Sequence, residues 1–91
     1  MTNVSSREVT IVNRRGLHAR AAARFVKLAG EYDAEVIVAK DGTEVSGLSI
    51  MGLMMLAAAP GTTITLRAHG GQAEQAVDAI AALVAGGFDE D

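Results

Sequence analysis

The chain contains no cysteine, which removes disulfides, thiolate nucleophiles and cysteine-ligated metals together and suits a reducing compartment. Tryptophan is absent as well, and aromatics make up only 3% of the residues. A core must therefore be built from Ala, Val, Ile, Leu and Met, and few rings are left over to stack on nucleic-acid bases. No apolar run approaches the length of a bilayer-crossing helix, and the start MTNVSSREVTIV lacks the basic and apolar regions of a secretion signal. A cytoplasmic protein with no membrane partner is expected. Positive charge is also in deficit: the net charge of −3 argues against sequence-independent nucleic-acid binding.

What is there is a chain of 91 residues, 49% of them hydrophobic, enough for one core and too short for two. One domain, 1–91, is expected. The elements alternate and are short. REVTIV places Val9 and Ile11 on one face of a first strand, and RRG breaks it. From Ala19 the apolar positions Ala22, Phe25, Val26 and Ala29 recur at helical spacing until Gly30. AEVIVA is a second strand, KDGT supplies the Asp-Gly of a tight hairpin, and TEVS returns as a third strand. Ser49 opens a short apolar helix, IMGLMML, predicted to be stopped by Pro60-Gly61. A fourth strand carries Ile64, Leu66 and Ala68 on one face, and a last helix carries Ala73, Val77, Ile80 and Val84 on one stripe before Gly86-Gly87. The order is βαββαβα. Strands of alternating polarity have one wet face, so the predicted fold is α+β, an open-faced sandwich with an antiparallel sheet covered by helices on a single side.

One histidine stands out against this scaffold. In NRRGLHARAAARFV, residues 13–26, His18 falls at a loop-to-helix junction among Arg14, Arg15, Arg20, Arg24 and Lys27. The first amides of a helix lack intrahelical acceptors and the macrodipole there is positive. Such a terminus favours an anion and biases an imidazole toward its neutral, nucleophilic form. A phosphoryl group on the ring would lie against the amides of Ala19 and Arg20, with the Arg20 guanidinium on its oxygens; Gly16 is a further expected phosphate contact. A histidine that only accepts and surrenders a phosphoryl group needs no general base, and no second acid, base or metal constellation accompanies it, so neither a metal nor a cofactor is expected.

At these residues the sequence resembles a known family. RGLHARAAARFV is similar to the active-site segment of HPr, the histidine-containing phosphocarrier of the bacterial phosphoenolpyruvate-dependent phosphotransferase system, and GLSIMGLMML to that family's regulatory-serine segment. The similarity runs nearly end to end. It implies a four-stranded antiparallel sheet with three helices, and a phosphoryl group passed from phosphorylated enzyme I to Nδ1 of His18 and on to an enzyme IIA domain, with Arg20 as partner. It further implies Ser49 as a phosphorylation site for an HPr kinase/phosphorylase. The chain would then be a monomeric co-substrate rather than a free-standing enzyme. Ala21 stands where the family usually has proline, and Arg15 where it often has a small polar residue. GFDED and DAEV are similar to the nitrogen-branch paralogue, SIMG to the serine-regulated sugar-branch type.

The remaining candidates divide by packing. If Leu53 and Leu56 face the sheet, Ile50, Met51 and Met54 must be partly exposed, and an exposed Met-rich patch suits docking of several partners. The family docks its partners with this helix; Ala23, Arg24 and Lys27 join the expected docking surface. Arg14 and Arg15 are expected as solvated loop charges and Arg24 with Lys27 as a solvated helix face, both able to steer an acidic partner. His69 receives no role, and Asp89, Glu90 and Asp91 are expected as a frayed, solubilising end. A small ligand-sensing or RNA-binding α+β regulatory module is the competing reading, but it gives His18 nothing to do.

Overall fold

The computed structural model describes residues 3–90. Its elements are β1 (Val4–Thr10), α1 (Ala19–Ala29), β2 (Glu35–Lys40), β3 (Thr43–Ser46), α2 (Ile50–Met55), β4 (Thr63–His69) and α3 (Ala73–Ala85), followed by a single 3-10 turn over Gly87–Asp89. The strands form one sheet in the order β1-β4-β2-β3, with every neighbouring pair antiparallel.

Alternation decides which face is covered. Along β4, Ile64, Leu66 and Ala68 are buried, and Val36 and Val38 are buried beside them on β2. The other face of β4 presents Arg67 and His69, which pair across the sheet with Glu44 at 3.1 Å and Glu35 at 2.6 Å. The helices therefore lie on one side only, as the alternating polarity requires. α3 packs on β1 and β4, and α1 packs against α2 and α3. Phe25, Leu53, Val77, Ile80 and Val84 meet the sheet's apolar side in one buried cluster. Between β2 and β3, Asp41 and Gly42 both have positive φ, 51° and 83°, the conformation a two-residue hairpin matching the strand twist demands.

Two segments depart from the expectation. α2 stops at Met55, well before Pro60, because the chain must leave the helix to bury both Leu56 and Ala58. Ala57 between them takes a left-handed φ of 51°, and Pro60-Gly61 instead forms the turn into β4, with the Gly61 amide donating to the Ile11 carbonyl at 2.8 Å. At the other end the chain does not fray after α3. Phe88 is completely buried, so the residues around it are folded back onto the body; Asp91 lies outside the described residues.

Candidate active site

The loop from Ile11 to His18 is tied to the segment that follows α2. The Leu17 amide donates to the Ala58 carbonyl at 3.0 Å, and the Ile11 amide to the Thr62 carbonyl at 2.9 Å. Gly16 sits where the loop passes closest to that segment. Its φ is +63°, and a Cβ there would lie 2.3 Å from the Ala58 carbonyl oxygen, so only glycine fits. Its amide donates to the Asn13 carbonyl at 3.1 Å, and its carbonyl accepts from Asn13 Nδ2 at 2.8 Å. Gly16 is thus buried with its donor occupied. It shapes the turn and is not the phosphate contact the sequence suggested.

His18 is the N-cap residue of α1, with extended backbone (φ −78°, ψ 179°) and no hydrogen bond from its side chain to the helix. The first helical bond runs from the Ala22 amide to the His18 carbonyl at 2.9 Å. The amides of Ala19, Arg20 and Ala21 have no acceptor among the described residues, leaving an end suited to an anion. Ala21, where the family usually has proline, is buried in this first turn. An amide there has no intrahelical acceptor to lose, so alanine and proline both suit the position.

The ring of His18 is not alone. Its Nε2 lies 2.5 Å from Glu90 Oε2, with both side chains mostly covered, and Nδ1 has no hydrogen-bond partner among the described residues. Glu90 Oε1 accepts from Asn13 Nδ2 at 2.9 Å. These two contacts, first the one from Asn13 and then that from His18, hold the Glu90 carboxyl below the usual carboxylate range, with the positive charge of Arg15 adding to the effect. Sequence reasoning missed Glu90, Asn13 and the anchor behind them. The available signal was Phe88, an aromatic three residues from the end of a chain with two phenylalanines.

Arg14, Arg15, Arg20 and Arg24 converge with Asp89 and Glu90 on an open hollow of about 440 Å³ beside the histidine. Arg20 is exposed there. Arg24 is not a freely solvated charge: its guanidinium donates to the Phe88 carbonyl oxygen and is partly buried. Ala23 and Lys27 are exposed on the same helix.

The second marked region is the start of α2. Ser49 is its N-cap, and Oγ accepts from the Gly52 amide at 2.9 Å. Leu53 and Leu56 are buried, whereas Ile50, Met51 and Met54 are exposed, Met51 to 75%. Leu48 and Met55, the latter 77% exposed, extend this apolar patch beyond the expected residues. The open sheet face carries ion pairs where an RNA reader would show rings, Phe25 and Phe88 being buried and Tyr32 partly so. Among the described residues no group of three His, Asp or Glu could hold a metal ion, and no helix is long and apolar enough to cross a membrane.

Comparison with known proteins points one way. Residues 5–86 match the family model described as the PTS HPr component phosphorylation site. Phosphocarrier protein HPr of Cupriavidus necator is 46% identical over 92% of this chain and 94% of its own length. Phosphocarrier protein NPr of Shewanella violacea is 49% identical over 92% of both. Among solved structures, HPr-C-His from Thermoanaerobacter tengcongensis superposes with a TM-score of 0.91 at 37% identity, covering 96% of this chain and 98% of that one.

Proposed function

Since the chain belongs to the HPr family and is a phosphocarrier of the phosphotransferase system, we propose that His18 carries the phosphoryl group on Nδ1, taking it from phosphorylated enzyme I and passing it to an enzyme IIA domain in the cytoplasm. The observation that carries this reading is the pairing of an unbonded Nδ1 with first-turn amides that have no acceptors. The lone pair on Nδ1 attacks phosphorus as the donor's N–P bond breaks and its electron pair returns to the donor nitrogen. The three phosphoryl oxygens then face the amides of Ala19 and Arg20 and the Arg20 guanidinium, whose planar fork pairs two oxygens at once. No general base is consumed, because no proton has to leave Nδ1. The reverse attack by the acceptor's nucleophile returns the pair to Nδ1.

Docking falls to the exposed apolar patch of α2, Ile50, Met51 and Met54, with Ala23 and Lys27 of α1 alongside. Arg24, tethered to Phe88, contributes its charge from a fixed position. Flexible thioethers repack against unlike surfaces, which a carrier with a donor and an acceptor requires. Ser49 stands at the edge of this patch. A phosphate there would suit the helix start yet has to be desolvated when an apolar partner surface docks, so it acts on recognition rather than on the fold.

The test is phosphorylation by enzyme I and phosphoenolpyruvate, followed by intact mass. One acid-labile phosphoryl group is expected on the parent and on His69→Ala, and none on His18→Ala. Labile phosphate on His18→Ala would overturn the assignment. For Ser49, Ser49→Asp should raise the enzyme I concentration needed for half-maximal single-turnover rate while leaving the limiting rate unchanged; parent-like transfer at low enzyme I would reduce Ser49 to a cap.

A further inference from the structure

The tail beyond α3 is built to bring a carboxylate back over the histidine. Gly87, Phe88 and Asp89 have φ of 66°, 56° and 60°, three successive left-handed residues of which two carry side chains. Such conformations persist only where the surroundings over-determine them. Here the anchors are the wholly buried Phe88 ring, the Arg24 guanidinium on the Phe88 carbonyl, and turn bonds from the Asp89 amide to the Gly86 carbonyl at 3.2 Å and from the Glu90 amide to the Gly87 carbonyl at 3.0 Å. The outcome is Glu90 with one oxygen on Asn13 Nδ2 at 2.9 Å and the other on His18 Nε2 at 2.5 Å. Asn13 is itself buried and fixed to the Gly16 carbonyl, so the carboxylate has a defined seat.

We propose that Glu90 is a positioning residue of phosphoryl transfer: it keeps the ring hydrogen on Nε2, leaves the lone pair on Nδ1, and offsets the positive charge the ring acquires once Nδ1 is bonded to phosphorus. This rests on the reading of His18 as the carrier. An ionised carboxylate only accepts hydrogen bonds, so Nε2 in contact with it must bear the hydrogen, and the neutral ring then has its nucleophilic pair on Nδ1. When Nδ1 attacks, the N–P bond forms, the donor's N–P bond breaks, and the ring becomes a phosphoimidazolium still carrying Nε2–H. When the acceptor attacks, the Nδ1–P bond breaks and its pair returns to Nδ1. The same hydrogen stays between Nε2 and Glu90 throughout, so the carrier runs in both directions without a proton transfer. The carboxylate acts as the acid of a serine-hydrolase triad does, orienting an imidazole and stabilising its cation.

The test compares the parent chain with Glu90→Gln and Glu90→Ala, using long-range ¹H–¹⁵N spectra of the ¹⁵N-histidine-labelled proteins and single-turnover phosphorylation by enzyme I. In Glu90→Gln the amide oxygen stays on Asn13 Nδ2, so the amide NH₂ faces Nε2 and drives the hydrogen to Nδ1. The parent should show the Nε2–H pattern, and Glu90→Gln a shift toward Nδ1–H. Transfer to His18 should slow roughly tenfold in both variants, the scale of one charge-assisted hydrogen bond. Parent-like ring spectra in Glu90→Gln, or parent-like rates in both variants, would overturn the inference alone. A parent that takes no phosphate from enzyme I would overturn the reading of His18 together with it.

Discussion

Two residues of this chain hold the same place in a helix and use it in opposite ways. Ser49 caps α2 with its hydroxyl on the Gly52 amide, satisfying a donor that the helix cannot satisfy itself. His18 stands at the N-cap of α1 and makes no such bond. Its ring turns to Glu90, and the amides of α1 are left for something else. A filled cap serves the fold, while the unfilled one lies beside a hollow lined by four arginines and is the place proposed for the chemistry. The partners differ in range as well: Ser49 reaches three residues along the chain, whereas His18 reaches across 72.

The contrast can be broken most severely at the tail. Phe88→Ala removes a wholly buried ring and should cost about 3–5 kcal/mol in a denaturant melt, while releasing Glu90 from His18; a change below about 1 kcal/mol, at the scale of a surface substitution, would mean the tail is not anchored as described. Next in size, Met51→Glu should weaken enzyme I binding by roughly 1–3 kcal/mol with the melting temperature unchanged, since the side chain is exposed. The caps themselves come third. Ser49→Ala should lower stability by about 1 kcal/mol, and His18→Ala by less than that, because no cap bond is lost; equal losses by thermal melting would erase the distinction. The smallest effect is in acid. The Glu90 carboxyl is held low by Asn13 and then His18, so its contribution to stability is complete above the usual carboxylate range and is lost as pH falls through the lowered value. A titration of the Glu90 side-chain carboxyl ¹³C resonance should have its midpoint below that of free glutamate, and a midpoint at or above it would contradict the contact.

Most of the framework was legible in the sequence because it rests on local periodicity and turn chemistry. Ile64, Leu66 and Ala68 alternate, Asp41-Gly42 marks its hairpin, and Ser49 marks its helix. The place of His18 at the start of α1 was legible for the same reason, the loop-to-helix junction being a local signal. Glu90 was not, because its partners Asn13 and His18 are 77 and 72 residues away and a run of acids at a chain end ordinarily means solvent. Gly16 was misread in role: glycine at a turn beside a nucleophile fits a phosphate cradle, but only the packed Ala58 carbonyl shows that the need is for space. The end of α2 was misplaced because burial of Leu56 and Ala58, a tertiary demand, acts before Pro60 does.

The phosphoryl group is proposed to land at the unfilled cap of α1, on His18. Nuclear magnetic resonance of the ¹⁵N-histidine-labelled protein, phosphorylated by enzyme I and phosphoenolpyruvate, tests it most directly through ³¹P–¹⁵N coupling. A single phosphoryl group coupled to Nδ1 of His18 is expected; coupling to Nε2 of His18, or to either nitrogen of His69, would overturn that assignment.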